Sequence, residues 1–352
     1  MRVLIAGGGT GGHVYPALAV AEVLRQKYAA TVTFVGTAKG QEVQVVPKAG
    51  FDLELMEIEP LKGVQSTRAF LNMISAGASM FTALGLLRRC KPDVVLSVGG
   101  YAAGPVSLAA SLSFVPLALL EPNSVMGLTQ RVLLRFAKRL YAAYPEVAAR
   151  VSFAQILGVP LRSGFSSATY PPSEPQVLLV LGGSQGARAL NERLPPAVRR
   201  LLGRFPSLSV IHQSGPTDEL AVRVAYDGED RVNVVPFLDD MPRALREAHL
   251  IVSRAGAVTL AEITAIGRPS LLVPFPHAAD DHQAKNAAAL GSAGAAAWAR
   301  QEIATSNWLE HQIGHLLDDR GRLRAMAQAA RTLGRPTAAV DVADDLIQLA
   351  QR

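Results

Sequence analysis

Three observations predict an α/β protein made of two doubly wound domains. Apolar runs alternate with helical stretches along the 352 residues, a pattern typical of parallel sheets covered on both faces. The alternation restarts after the proline-rich segment 170–175, and a glycine-rich turn follows the first apolar run of each half. We therefore predict two Rossmann-like domains facing a cleft, with ligands at the carboxyl ends of their strands.

Residues 1–160 form the predicted first domain, in which short apolar runs predict strands and the stretches between them predict helices. The predicted strands are Val3–Ala6, Val32–Val35, Leu53–Ile58, Val94–Val98, Leu117–Leu120 and Leu140–Ala143. The predicted helices are 16–28, 103–112 and 126–137. The first strand opens the chain directly, so we expect no signal peptide.

An uncharged segment, Ala69–Leu87, interrupts this regular pattern. Its length is close to the ~20 residues that span a bilayer, but polar residues dilute it and a crossover helix is expected at this point. A transmembrane helix, a buried crossover helix and a partly exposed membrane-contacting helix all remain open. Arg68, Arg88 and Arg89 flank the segment and favour the last alternative, because anionic headgroups attract basic side chains.

Residues 161–335 form the predicted second domain, which repeats the same alternation. Its predicted strands are Val177–Leu181, Leu208–His212, Val232–Phe237, Leu250–Ser253 and Leu271–Phe275. Helical spacing separates these strands, as expected for parallel strands joined by crossover helices.

Composition and charge narrow the class of protein. Hydrophobic residues make up 49% of the chain, so it can bury a large core and is not disordered. The single cysteine, Cys90, excludes an intrachain disulfide and a multi-cysteine zinc site. The whole excess charge of +6 lies in residues 1–160, which indicates an anionic partner or an ordinary solvated basic face. With only 6% aromatic residues, we predict no nucleic-acid binding.

The first glycine-rich turn, Gly7 to Gly12, has the spacing of a dinucleotide-binding fingerprint. In that fingerprint an acidic side chain about 20 residues further on binds the ribose, but residues 23–41 contain no Asp or Glu. NAD is therefore disfavoured, while Lys39 leaves NADP as an alternative. We expect the loop to approach a phosphate or polar ligand rather than to be only a tight turn. His13 at its end is either a proton acceptor or a helix residue bonded to local backbone.

Two more strand-to-helix junctions lie in the second half. Gly182–Gly186 offers backbone N–H groups and the Ser184 hydroxyl to an anion. In Ser253–Glu262, the N–H groups of Ala257–Thr259 would point out of a helix N-terminus. Glu262 either holds a sugar diol or is a first-turn glutamate favoured by the helix dipole.

Polar side chains follow other predicted strands. Gln283 and Asn286 share one helix face, and two side-chain amides suit a hydroxyl-rich ligand. Glu121, with Asn123 beside it, is either a base in an apolar setting or a hydrogen-bonding residue. A disfavoured alternative is a metal site formed by His277, Asp280, Asp281 and His282.

Together these motifs resemble the MurG family of peripheral membrane glycosyltransferases. Members transfer N-acetylglucosamine (GlcNAc) from UDP-GlcNAc to polyprenyl-linked lipid I and form lipid II. The matching segments cover nearly the whole chain and are Gly8–Ala17, Gly99–Tyr101, Gly104-Pro105, Glu121 with Asn123, Gly182–Ala187 with Asn191, Ser253–Glu262 and His282–Ala287. The resemblance implies the GT-B fold, inverting transfer to the 4-hydroxyl of the muramyl sugar, no cofactor and no metal.

The resemblance also implies roles for single residues. The donor site for UDP-GlcNAc would comprise Thr10, Gly11, Gly12, Asn123, Arg162, Ser184, Phe237, Leu238, Ala257, Val258, Thr259, Glu262, Gln283 and Asn286. The acceptor would contact Gly9, Thr10, Gly11, Gly12, Tyr101 and Asn123. His13 and Glu121 are the catalytic candidates, with His13 preferred as the base. The last helix, about 336–352, would pack back on the first domain.

The implied location is the cytoplasmic face of the plasma (inner) membrane. The implied partners are UDP-GlcNAc, lipid I, an anionic membrane surface and proteins of cell-wall synthesis and division. Leu120, Pro122, Gln130 and Val159 depart from the usual family residues. The alternatives are another GT-B enzyme, namely a glycolipid glycosyltransferase or a UDP-GlcNAc epimerase, and a non-catalytic sugar-nucleotide sensor.

Overall fold

The computed structural model describes residues 1–56, 79–100, 102–149, 151–171, 174, 176–183 and 185–351. Tyr101, Ser184, Arg68 and parts of the predicted segments Leu53–Ile58 and Ala69–Leu87 lie outside the described residues. The chain divides into two compact units. The first unit is Met1–Ser163 with Thr337–Arg352, and the second unit is Gly164–Pro336.

The first unit contains a seven-stranded parallel sheet in the order β3-β2-β1-β4-β5-β6-β7. The strands are β1 (Arg2–Gly7), β2 (Thr31–Gly36), β3 (Asp52–Leu55), β4 (Val94–Gly99), β5 (Leu117–Glu121), β6 (Arg139–Ala142) and β7 (Ala154–Ile156). The strand order reverses between β1 and β4. The loops after these two strands therefore lie at the switch point, where doubly wound sheets bind ligands.

Helices cover both faces of this sheet. They are α1 (Gly11–Tyr28), α2 (Glu42–Lys48), α3 (described over 79–90), α4 (Ala103–Leu112), α5 (Leu128–Leu133) with a 3-10 turn at Leu134–Phe136, and α6 (Pro145–Ala148). Val3 and Ile5 pack in one core with α1, whereas Leu4 packs in another with α3, α4 and α5, because successive strand residues point to opposite faces. Among the described residues, no helix is long and apolar enough to cross a bilayer.

The second unit contains a six-stranded parallel sheet in the order β10-β9-β8-β11-β12-β13. The strands are β8 (Gln176–Leu181), β9 (Leu208–Gln213), β10 (Val232–Val235), β11 (Leu250–Ser253), β12 (Ser270–Leu272) and β13 (Ala296–Trp298). The helices are α7 (Arg188–Arg204), α8 (Glu219–Ala225), α9 (Met241–Glu247), α10 (Ala257–Ile266), α11 (His282–Ser292), α12 (Ser306–Asp318) and α13 (Arg320–Leu333). The switch point lies between β8 and β11.

The last helix, α14 (Ala338–Ala350), belongs to the first unit. Val342 and Leu346 are fully buried in the core that also contains α1. Asp344 accepts hydrogen bonds from the Lys27 ammonium and the Tyr28 hydroxyl at 2.8 and 2.7 Å. Asp345 accepts from three side chains, Arg139 at 3.0 Å, Tyr141 at 2.8 Å and Gln155 at 3.1 Å.

Some element boundaries differ from the sequence predictions. Helix α1 begins at Gly11 rather than at residue 16, because the Thr10 carbonyl already accepts from the backbone of His13 and Val14. Strand β10 ends at Val235 rather than at Phe237, because the next residue is a proline, which has no N–H to donate. Strand β12 ends at Leu272, and its predicted extension to Phe275 also contains a proline.

Candidate active-site loops

The glycine-rich loop of the first unit lies against the end of β4. The Gly8 N–H donates to the Gly99 carbonyl at 3.1 Å. A Cβ at Gly7 would lie 2.0 Å from the Gly99 oxygen, and a Cβ at Gly100 would lie 2.4 Å from the Gly8 oxygen. Glycine is therefore required on both sides of this contact, which brings the loops after β1 and β4 together.

His13 lies in the first turn of α1, beside this contact. Its Nδ1 is 3.3 Å from the Thr10 hydroxyl, and its Nε2 would be 3.2 Å from a Cβ at Gly99. Thr10 and Gly12 are exposed, and Gly11 is half-buried. First-turn N–H groups of a helix lack an intrahelical acceptor and bind anions. The structure therefore brings Thr10, Gly11, Gly12 and His13 together at one exposed helix N-terminus.

Glu121 ends β5 and is only 3% exposed. One carboxylate oxygen accepts from the backbone N–H and the side-chain amide of Asn123 at 3.1 and 3.2 Å. The other accepts from the Gly127 N–H at 3.0 Å. Burial raises the pKa of the Glu121 carboxyl, and these hydrogen bonds oppose the rise. The contacts match the hydrogen-bonding role among the alternatives that the sequence left open.

Gln130, one of the departures from the family pattern, joins the ends of β4 and β5. Its side-chain amide donates to the carbonyls of Ser97 and Leu120 at 3.2 and 3.0 Å, and its oxygen accepts from the Ser97 hydroxyl at 3.3 Å. The side chain is 2% exposed. Both polar atoms of the Gln130 amide are therefore hydrogen-bonded, and the side chain holds the ends of β4 and β5 together.

Sequence reasoning missed one acidic residue in the first unit. Glu42 is 1% exposed, and its carboxylate accepts from the Gly9 N–H at 2.7 Å. Glu42 lies one position beyond residues 23–41, the range in which a dinucleotide fingerprint has its acid. Its place in the sequence therefore signals an acid near the loop, but not the contact with Gly9.

In the second unit, the loop after β9 supports the glycine-rich loop after β8. The Gly182 N–H donates to the Gln213 carbonyl at 3.1 Å, and a Cβ at Gly186 would lie 2.4 Å from the Ser214 oxygen. The Asn191 amide, in the first turn of α7, donates to the Ser214 carbonyl at 2.8 Å and to Asp218 at 2.9 Å. Ser184 lies outside the described residues.

The buried side chain of His212 contacts Asn191 behind this loop. The Nε2 of His212 is 3.0 Å from the Asn191 side-chain oxygen, and its Nδ1 is 3.1 Å from the Tyr226 hydroxyl. Burial lowers the pKa of His212 to about 4, so the imidazole is neutral. One ring nitrogen then donates and the other accepts, which satisfies both partners.

The N-terminus of α10 lies next to Gln283 and Asn286. The Gln283 oxygen accepts from the backbone N–H of Ala255 at 3.2 Å and of Phe275 at 3.0 Å. The Asn286 amide donates to the Ala255 carbonyl at 3.2 Å. Within the described part of the chain, the Gln283 amide nitrogen donates no hydrogen bond. This NH₂ group is therefore available to a ligand beside the helix N-terminus.

The first turns of α10 present the other predicted donor residues. Gly256 precedes the helix in extended conformation, with no atom within 4 Å of a Cβ placed there. Ala257 is buried and Val258 and Thr259 are half-buried. Glu262, on the same helix, is 9% exposed. This helix N-terminus is open to an anion.

Three predicted donor-site residues, Arg162, Phe237 and Leu238, lie outside the loops described above. Arg162 is exposed in the first unit, with its guanidinium carbon 5.1 Å from the Tyr15 ring centroid. Phe237, 49% exposed, and half-buried Leu238 follow β10 in the second unit.

The four residues of the disfavoured metal alternative have other contacts. Asp281 forms an ion pair with Arg300 at 2.7 Å. The His282 Nδ1 is 2.7 Å from the Ala279 carbonyl, and the His277 ring lies edge-on to Phe275. Across the residues described, no three His, Cys, Asp or Glu side chains are grouped so as to hold a metal ion.

Two doubly wound units, each with a glycine-rich loop and an open helix N-terminus at its switch point, are the architecture of the GT-B fold. Models of the glycosyltransferase family 28 N-terminal and C-terminal domains match residues 3–142 and 177–343. The chain belongs to the MurG family within this group.

Individual relatives agree with this assignment. The chain is 46% identical, over its full length and 89% of the relative, to the UDP-N-acetylglucosamine--N-acetylmuramyl-(pentapeptide) pyrophosphoryl-undecaprenol N-acetylglucosamine transferase of Sorangium cellulosum. It is 39% identical to the enzyme of the same name from Shewanella oneidensis, over 100% of this chain and 98% of the relative. The crystal structure of Acinetobacter baumannii MurG aligns with 99% of both chains at 34% identity and a TM-score of 0.83.

A more distant structure shares the fold alone. The UDP-GlcNAc 2-epimerase of Neisseria meningitidis aligns over 99% of this chain with a TM-score of 0.68, but at 15% identity.

Proposed function

We propose that this protein transfers GlcNAc from UDP-GlcNAc to the 4-hydroxyl of the muramyl sugar of lipid I, giving lipid II for peptidoglycan synthesis. The observation that carries this proposal is the 46% identity over the whole chain to a transferase of that name. Both glycine-rich loops, apart from Ser184, also lie within the described residues. The epimerases, by contrast, share only the architecture.

The donor is proposed to bind the second unit. The open N-terminus of α10 and the loop Gly182–Gly186 supply backbone N–H groups for the diphosphate, and Ser184 adds its hydroxyl. Glu262 takes the ribose hydroxyls, and Phe237 and Leu238 flank the uracil. Gln283 and Asn286 hold the GlcNAc hydroxyls, and the unbonded Gln283 amide nitrogen suits this role.

The acceptor is proposed to bind the first unit. Its pyrophosphate lies at the N-terminus of α1, at Thr10, Gly11 and Gly12, because a helix N-terminus favours negative charge. Gly9, Tyr101 and Asn123 complete this site.

In the proposed reaction, His13 is the base. As the acceptor O4 bonds to the anomeric carbon from the face opposite UDP, the carbon–oxygen bond to the diphosphate breaks and the configuration inverts from α to β. His13 takes the hydroxyl proton, since its imidazole can accept a proton near neutral pH. Glu121 is less suited, because three donors already hold its two oxygens. The N–H groups at α10 stabilise the charge that develops on UDP.

The proposed location is the cytoplasmic surface of the plasma (inner) membrane. Helices α3, α4 and α5 bury one face each in a shared core and leave large apolar side chains outside. These are Phe81, 78% exposed, Phe114, 96% exposed just after α4, and Leu128, 71% exposed. Arg88, Arg89, Arg131 and Arg135 add positive charge on the same helices and the adjoining turn. Exposed apolar and basic side chains together favour reversible binding to anionic lipid, where we expect cell-wall synthesis and division proteins as partners.

The test is release of UDP from UDP-GlcNAc with and without a short-chain lipid I analogue. We expect acceptor-dependent release and a β-linked disaccharide product. Binding of UDP-GlcNAc without release would instead indicate a sensor, and release with a different acceptor would indicate another transferase.

The base assignment has its own variant. His13→Ala should lower turnover by about 10²–10⁴-fold, whereas His311→Ala, at an exposed site on α12, should leave it unchanged. Near-normal turnover of His13→Ala would remove His13 as the base.

A further inference from the structure

Glu42 has a complete set of hydrogen-bond partners at the base of the glycine-rich loop. It is the first residue of α2 and is 1% exposed. One carboxylate oxygen accepts from the Gly9 N–H at 2.7 Å, and the other accepts from the N–H and hydroxyl of Thr37 at 2.9 and 3.3 Å. Hydrogen bonds to a carboxylate are among the stronger ones in proteins, so this contact ties the loops after β1 and β2 together.

Gly9 is held at both of its backbone polar groups. Its N–H donates to Glu42, and its carbonyl accepts from the Gln41 N–H at 3.3 Å. A Cβ at Gly9 would have no atom within 4 Å, so side-chain packing does not fix this residue. The two hydrogen bonds from consecutive residues therefore set the position of the loop.

Three glycines make room for the Glu42 side chain. A Cβ at Gly8, Gly36 or Gly40 would lie 2.5, 2.4 or 2.0 Å from a Glu42 side-chain atom. The local sequence is therefore arranged around the Glu42 carboxylate, because a side chain at any of these three positions would collide with it.

We propose that Glu42 is a positioning residue for the acceptor. By holding Gly9, it orients the N-terminus of α1 so that the N–H groups of Gly11 and Gly12 and the imidazole of His13 meet the acceptor. Because the Gly9 N–H is already bonded to Glu42, the acceptor pyrophosphate is directed to the N–H groups at the helix N-terminus. The substrate named in this inference rests on the proposed function.

The test is Glu42→Gln, which keeps the size of the side chain. An amide has only one acceptor oxygen, so its NH₂ group must face the N–H of Gly9 or of Thr37. We expect the KM for a short-chain lipid I analogue to rise at least tenfold, with the Kd for UDP-GlcNAc unchanged. Glu42→Asp, which keeps the charge, should recover part of the loss. Glu146→Gln, at an exposed site in the first unit, is the control and should change neither quantity.

A second measurement does not depend on turnover. Amide hydrogen exchange in the peptide covering residues 8–13 should be faster in Glu42→Gln than in the wild type. An unchanged exchange rate, or an acceptor KM within twofold of wild type, would overturn the positioning role. A rise in both the acceptor KM and the donor Kd would overturn it in favour of general structural damage. If the wild type shows no acceptor-dependent release while exchange still depends on Glu42, the proposed function fails and the loop-holding role remains.

Discussion

Single side chains hold the ligand loops of both units by bonding backbone groups. In the first unit, the Glu42 carboxylate accepts from the Gly9 N–H, and the backbone N–H of Gln41 donates to the Gly9 carbonyl. In the second unit, the side chains of Gln283 and Asn286 bond the N–H and the carbonyl of Ala255. Irregular backbone near a ligand lacks the hydrogen bonds of regular structure, so side chains supply them. Loss of one such side chain should therefore affect ligand binding before it affects overall stability.

His212 should make the stability of the second unit depend on pH. Burial lowers its folded-state pKa from 6.5 to about 4, so between these values the unfolded chain binds a proton that the folded chain does not. The free energy of unfolding should therefore fall as the pH drops through this window, by about 2 kcal/mol between pH 7.5 and pH 5. Urea unfolding followed by tryptophan fluorescence measures it, because Trp298 and Trp308 both lie in the second unit.

The matched variants are His212→Gln and His311→Gln. Glutamine at 212 can still donate to Asn191 and accept from Tyr226, but it does not titrate, so this contribution to the pH dependence should disappear. His311 is exposed, and its variant should keep the wild-type slope. Equal slopes in wild type and His212→Gln would contradict the assignment.

Glu262 is the residue whose loss should weaken donor binding. Glu262→Ala removes the carboxylate proposed for the ribose hydroxyls, and loss of charged hydrogen bonds should raise the Kd for UDP-GlcNAc about tenfold to a hundredfold. Equilibrium titration of UDP-GlcNAc measures this. Glu302→Ala, at an exposed site in the same unit, is the control. An unchanged Kd for Glu262→Ala would remove the residue from the donor site.

The sequence predicts the residues of the ligand loops better than the contacts that hold them. The loops starting at Gly7 and Gly182 could be predicted, because the spacing of their glycines and the strand before each loop are visible in a short stretch of sequence. Glu42 contacts a residue 33 positions away, and Gln283 contacts one 28 positions away. Such contacts depend on which strands are neighbours, and that order is not visible in local periodicity.

At the scale of elements, the sequence predicts the fully buried strands well but misses two short, partly exposed ones. The predicted helix 103–112 coincides with α4, and the predicted strand Leu250–Ser253 coincides with β11. Strands β7 and β13, of three residues each, were not predicted. A strand of this length has too few residues to show periodicity and forms only because a neighbouring strand offers hydrogen bonds.

Among the two aspartates of helix α14 that bond the rest of the first unit, Asp345 should contribute more to stability than Asp344. Its side chain is 14% exposed in the ion pair with Arg139, and Asp345→Ala would also leave the buried Tyr141 hydroxyl without its acceptor. Removing one partner of such a network costs about 2–4 kcal/mol. Asp344→Ala, whose side chain is 36% exposed, should cost less than about 1 kcal/mol.

Circular dichroism and tryptophan fluorescence together measure this difference. Thermal loss of helicity should shift to lower temperature in Asp345→Ala, while the tryptophan transition of the second unit stays in place. Equal effects of the two aspartate substitutions would contradict the larger role assigned to Asp345.

At the scale of the molecule, the predicted fold class is confirmed by two parallel sheets that each reverse strand order once and by the match to MurG. This level was predictable because repeated alternation and paired glycine loops are features of the whole chain and tolerate errors in single elements. The uneven charge is also a property of the whole chain, with the excess of +6 confined to residues 1–160.

This charge distribution and the exposed apolar side chains lead to a prediction about membrane binding. The protein should bind vesicles that contain anionic phospholipid at low ionic strength, and binding should weaken as salt screens the basic residues.

The double variant Phe114→Ser/Leu128→Ser should reduce binding at every salt concentration, because it removes apolar contact area but no charge. Arg131→Gln/Arg135→Gln should instead weaken binding most at low salt. Leu220→Ser, at a 76% exposed site in the second unit, is the control and should bind as the wild type does. Vesicle co-sedimentation measures all four proteins, and a wild type that stays in the supernatant with anionic vesicles at low salt would contradict the proposed membrane surface.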